Sequence, residues 1–190
     1  MLDNLKKYKI ILGSNSPRRR ELLTGLDIDF QIITNDIEES YPKGMGGVDI
    51  PVYLAQKKAD SYTIADNHLI ITADTIVWYN DRVYGKPTDK ADARRILKML
   101  SGNMHQVITG VCIKTAKKTK VFHVVSDVYF SQFTEEEIEY YLNHYQPYDK
   151  AGSYGVQEWI GYIGVERIEG SYFNVMGLPI QRLYTELKNF

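Results

Sequence analysis

Tyr8-Lys9-Ile10-Ile11-Leu12-Gly13-Ser14-Asn15-Ser16-Pro17-Arg18-Arg19-Arg20-Glu21-Leu22-Leu23 encodes a strand, a turn and the start of a helix. The apolar run from Ile10 to Leu12 reads as a short buried strand. Ser16 is a good N-cap and Pro17 fits the first helical position, so a helix opens there and stops near Gly25. A strand feeding a helix so early predicts an α/β fold.

The rest of the chain extends this pattern. Residues 30–34 read as a second strand. Residues 42–47 are glycine-rich and read as a loop. Leu54, Ala55, Ala59 and Tyr62 recur at helical spacing within 52–65. Residues 69–79 form a long strand, and Asn80-Asp81 marks a hairpin turn towards Val83 and Tyr84. A helix follows over 89–100, with Ala93, Ile96, Leu97 and Leu100 on one face. Residues 107–114 and 120–130 read as a hairpin around a lysine-rich turn. Thr134 and Glu137 have capping-box spacing and open a helix to about His144. Residues 146–178 read as loop-rich, and a last helix spans 179–187. No repeat, low-complexity tract or linker interrupts the chain. The expectation is one domain over 1–190, a mixed α/β sheet with helices packed around it.

The chain has 190 residues, 44% hydrophobic and 25% charged, as expected of a folded domain. Its formal net charge is −1, which argues against a nucleic-acid partner, because phosphate neutralisation needs a basic excess. A small anionic ligand needs only a local basic pocket. Cys112 is the only cysteine, so no internal disulfide can form, and its apolar neighbours read as a buried strand. No signal-like apolar region and no run of about 18 apolar residues occurs, so the expectation is a cytoplasmic protein that does not cross a membrane. The 15 tyrosines suit either an interface or stacking on a base.

Several clusters can carry chemistry. Arg18, Arg19 and Arg20 occupy the first helical turn, where the macrodipole favours acids. The mismatch points to an anion facing them, such as a polyphosphate. The alternative is a solvated basic face. Asp74 interrupts the apolar strand 70–77, and a buried carboxylate there needs a cation, a metal or hydrogen-bond donors. Asp36, Glu38 and Glu39 could hold Mg²⁺, although such a run is more often a solvated loop. Lys58 and Lys86 could add charge for a phosphate chain. His105 could act as a base, but a lone histidine before a strand is more often structural. Gln157 offers a paired donor and acceptor suited to a base edge. There is no Walker A loop, GxGxxG element, HExxH motif or zinc spacing.

Taken in order, these segments resemble the Maf family of nucleotide pyrophosphatases. The Ser-x-Ser-Pro-Arg-Arg element is Ser14–Arg19. The acidic pair is Glu38-Glu39, with glutamate in place of the usual aspartate. Leu54–Ala59, Ala73–Val77, Gly85–Pro87, His105–Val111, Ala151–Gln157 and Gly170–Pro179 complete the series. The resemblance implies hydrolysis of a nucleoside triphosphate between its α- and β-phosphates, dependent on a divalent metal, Mg²⁺ or Mn²⁺. The fold it implies is similar to inosine triphosphatases, an elongated mixed sheet with two lobes around a cleft. It implies Asp74 as acid/base residue and metal ligand, and Glu39 as a metal-site candidate, with the choice between Glu38 and Glu39 open. It assigns Ser14, Arg18, Arg19, Lys58 and Lys86 to phosphates. It makes Arg18, Thr75 and Gln157 positions that separate substrate subgroups. Thr75 and Gln157 match the subgroup acting on dTTP and UTP, not the one acting on 7-methyl-GTP, and Gln157 suits a pyrimidine O4 and N3–H. A homodimer is implied by resemblance only. The alternative function is a nucleotide-binding regulator of cell division with little turnover.

Overall fold

β1 (Lys9–Leu12) buries Ile10, Ile11 and Leu12 between two parallel neighbours. β2 (Phe30–Ile32) lies on one side and β3 (His68–Tyr79) on the other, with Leu12 opposite Ile71. Parallel neighbours need crossovers, which α1 (Pro17–Thr24) and α2 (Asp49–Asp60) supply. These elements come from a computed structural model that describes residues 2–190.

The chain continues through β4 (Arg82–Tyr84), α3 (Lys90–Leu100), β5 (Met104–Lys114), β6 (Thr119–Phe130) and α4 (Glu135–Tyr145). It ends with α5 (Trp159–Gly164), β7 (Val165–Glu169), α6 (Tyr172–Met176) and α7 (Ile180–Lys188). The sheet order is β2-β1-β3-β5-β6-β7, with β4 antiparallel on β3, so the mixed α/β expectation holds. Asn80 and Asp81 have φ of 48° and 56°, the left-handed pair that a two-residue hairpin needs. Thr134 and Glu137 form the expected capping box at α4. Among the described residues no helix is long and apolar enough to cross a membrane.

Two expectations need correction. α2 starts at Asp49, not residue 52, because Pro51 suits a first turn that lacks amide partners. The segment 146–178 is not mainly loop: it holds α5, β7 and α6, and β7 extends the sheet antiparallel to β6. Val165–Glu169 shows no inward face of alternating apolar residues, so nothing in its periodicity marks an edge strand.

The chain divides into two compact units. The first comprises Met1–Asp74, Thr109–Val124 and Gly177–Phe190. Within it, α2 packs close to β5: a Cβ on Gly110 would lie 2.2 Å from the Pro51 carbonyl oxygen. Thr72 Oγ1 donates to the Ala55 carbonyl at 2.6 Å, joining α2 to β3. The second comprises Thr75–Ile108 and Val125–Met176. His105, Phe130 and Tyr154 pack edge to face there, with His105 Nε2 2.8 Å from the Tyr154 hydroxyl. His105 is 1% exposed, which fits a structural histidine better than a base.

Two stability measurements follow. Gly110→Ala should cost about 2 kcal/mol or more, since backbone rather than a flexible side chain blocks the methyl group; calorimetry showing an unchanged Tm would refute the close packing. Burial holds His105 down at about 3, below its unfolded value of 6.5. Neutral His105 therefore contributes fully above pH 6.5, and its contribution drains away as pH falls towards the folded value. Between pH 6 and 4 the wild type should lose about 1.4 kcal/mol per pH unit more than His105→Gln in urea titrations.

Candidate active site

Ser14 lies just past the carboxyl end of β1, where α/β sheets place ligands, and Asp74 lies within β3 just past the stretch that pairs with β1. The register sets this: Leu12 lies opposite Ile71, Ser14 follows β1, and Asp74 lies three residues beyond Ile71 on β3. Ser14 Oγ accepts from the Ser16 amide at 3.2 Å, in the turn that Ser16 then caps into α1.

Asp74 is 7% exposed, and Lys58 answers its charge. Lys58 Nζ, in the last turn of α2, lies 2.5 Å from Asp74 Oδ1 and 2.7 Å from Glu39 Oε1. One ammonium thus bridges two carboxylates, one on β3 and one in the loop between β2 and α2. Burial nevertheless raises the Asp74 carboxyl above its ordinary value. Lys58 and Arg19 oppose the rise, and Glu39 reinforces it by repulsion. Neighbouring contacts locate Glu39. Lys57 Nζ donates to Ser40 O at 2.9 Å and Ser40 Oγ at 3.1 Å, and Tyr62 Oη donates to Ile33 O at 2.8 Å. Of the two glutamates left open by the sequence, Glu39 is the one held beside Asp74.

Arg19 is more occupied with the protein than its sequence position implies. Its Nε donates to Gly177 O at 2.8 Å, and its Nη1 donates to Ala73 O at 2.8 Å and to Ser14 Oγ at 3.4 Å. It braces the residue before Asp74 while adding positive charge. Arg18 is half-buried at the same helix start.

Ser14, Arg18, Arg19, Glu39, Lys58 and Asp74 therefore belong to the first unit, and Thr75, Lys86 and Gln157 to the second. Lys86 is exposed and lines a surface pocket of about 320 Å³ with Arg82, Tyr84 and Arg95. Gln157 Oε1 is sealed from solvent and accepts no hydrogen bond among the described residues. Cys112 is buried in β5, and burial pushes its thiol up to about 12, as suits an inert core residue. Sequence reasoning missed the Gly177 carbonyl and Thr72. The glycine has φ of 116°, but its role as an acceptor for Arg19 is a tertiary fact without a local signal.

Two carboxylates already converging on one cation suit a hard divalent ion, which takes one or two carboxylates and completes its shell with phosphate oxygens and water. Glu39 and Asp74 are the residues that would hold it. Among the described residues no group of three or more His, Cys, Asp or Glu side chains comes together as a metal site.

The chain is 60% identical to the dTTP/UTP pyrophosphatase of Parabacteroides distasonis, with all of both chains covered. It is 58% identical to that of Bacteroides fragilis, over 99% of each chain, and 46% identical to that of Flavobacterium johnsoniae, over 97% of this chain and 96% of the relative. A HAM1 protein from Coxiella burnetii shares the fold, with a TM-score of 0.52 and 17% identity over 96% of this chain and 100% of its own. The family model for Maf-like proteins matches residues 9–190, and with these relatives it shows that the chain belongs to the Maf family.

Proposed function

We propose that this chain hydrolyses nucleoside triphosphates, with dTTP and UTP favoured, to the monophosphate and pyrophosphate. The observation that carries the reading is the buried Asp74 carboxylate held by Lys58 beside Glu39. Full-length relatives that bear the name dTTP/UTP pyrophosphatase support it. The free nucleotide is the substrate, and the −1 net charge disfavours nucleic acid. The place of work is the cytoplasm.

In this reading Asp74 is the base. It takes a proton from the attacking water, whose oxygen bonds to the α-phosphorus. The bond from that phosphorus to the α–β bridging oxygen breaks, and pyrophosphate leaves with the bonding electrons. Negative charge grows on the phosphoryl oxygens as this happens, and fixed cations stabilise it better than mobile water. Lys58 supplies one such cation beside the base. Arg18 and the Ser14 hydroxyl contact phosphates. Arg19, braced on Gly177 and Ala73, keeps Ser14 and the Asp74 strand in place and contributes charge. A bound divalent cation, held by Glu39 and Asp74, would supply charge neutralisation and a more acidic water.

Gln157 reads the base. A glutamine presents an acceptor to the pyrimidine N3–H and a donor to O4; guanine carries the same pair at N1–H and O6, but its two-ring base sets that edge farther from the sugar. Its buried, unpartnered Oε1 fits an acceptor reserved for such a contact.

Pyrophosphate release across a nucleotide panel with Mg²⁺ or Mn²⁺ tests the reading. Asp74→Asn should lower kcat/KM for UTP by about 10²–10⁴ while the protein stays folded. Nucleotide binding without release by the wild type would favour a regulator instead. Gln157→Ala should reduce the UTP-to-GTP ratio of kcat/KM about tenfold, the value of one hydrogen bond of 1.4 kcal/mol. An unchanged ratio would remove Gln157 from base selection.

A further inference from the structure

We propose that Tyr141 is a positioning residue for base selection, acting through the turn that carries Gln157. The inference rests on the reading of Gln157 given above. The Glu158 amide donates to Gly155 O at 3.0 Å and closes a turn over 155–158, with Gln157 at its third position. One phenol then holds both ends of that turn. The Gly155 amide donates to the Tyr141 hydroxyl oxygen at 3.0 Å, and the same hydroxyl donates to Glu158 Oε2.

The brace is buried and itself held. Tyr141 is fully buried on α4 and stacks on Tyr145. Lys150, 8% exposed, places its ammonium 3.1 Å from Glu158 Oε1 and 2.7 Å from Asp149 Oδ1. Gly155 leaves the space that the Glu158 carboxylate fills: a Cβ there would lie 2.7 Å from Glu158 Cδ. On the other side of the turn, Tyr154 is fixed by His105 at 2.8 Å.

An acceptor that selects one ring N–H over another discriminates only if its direction is fixed before the base arrives. Gln157 has no hydrogen bond of its own on Oε1 to supply that direction. The turn supplies it, and Tyr141 is where the two ends of the turn meet. The brace acts on the turn that carries Gln157, so the effect belongs in substrate discrimination.

Tyr141→Phe removes both hydrogen bonds and keeps the ring. Kinetics with UTP and GTP, beside Gln157→Ala and the double variant, test the proposal. Tyr141→Phe should lower the UTP-to-GTP ratio of kcat/KM about tenfold, mainly through a higher KM for UTP. The double variant should fall no further than Gln157→Ala, as expected of residues acting as one unit. Glu158→Ala, read the same way, should behave like Tyr141→Phe and serves if the latter does not fold. A lower Tm with an unchanged ratio would make Tyr141 merely structural and overturn the proposal, with the role of Gln157 intact. A ratio insensitive to Gln157→Ala would overturn the reading beneath it.

Discussion

A carboxylate buried within an apolar strand cannot stay ionised without a cation within reach, and Lys58 is that cation for Asp74. Much of the first unit serves this contact. Lys58 reaches Asp74 because α2 is fastened to β3 by Thr72 on Ala55 and rests against Gly110 without a side chain between. Arg19 reaches the same strand because Ser16 and Pro17 start α1 directly after β1. Lys57 holds Ser40, so Glu39 arrives as the second carboxylate on the same ammonium.

The balance of forces at Asp74 suits the role of base proposed for it. Burial outweighs Lys58 and Arg19, so the carboxyl holds its proton more tightly folded than unfolded. By linkage, its ionisation subtracts from stability as pH rises through the folded value. The fold therefore carries a cost at this position that an apolar residue would not impose. Sites that trade stability for chemistry behave in this way.

Much of this was legible in the sequence. The strand–turn–helix opening, the hairpin at Asn80-Asp81, the capped α4 and the exceptional Asp74 all follow from local rules. The choice between Glu38 and Glu39 was not legible, because it depends on which one meets Lys58 in space. Arg19 reads as an anion-facing residue from its place against the helix dipole, yet its bonds to Gly177 and Ala73 are set by chain segments far away. β7 escaped because an edge strand need not alternate. Tyr141 escaped because a tyrosine within an amphipathic helix looks like core, and only its hydroxyl, meeting both ends of one turn, sets it apart.

The central claim is that water attacks the α-phosphorus of the triphosphate beside Asp74. The most direct test is hydrolysis of UTP in ¹⁸O-labelled water, with the products resolved by ³¹P NMR. The account requires the label on the monophosphate and unlabelled pyrophosphate. Label in the pyrophosphate, or release of inorganic phosphate instead, would contradict it.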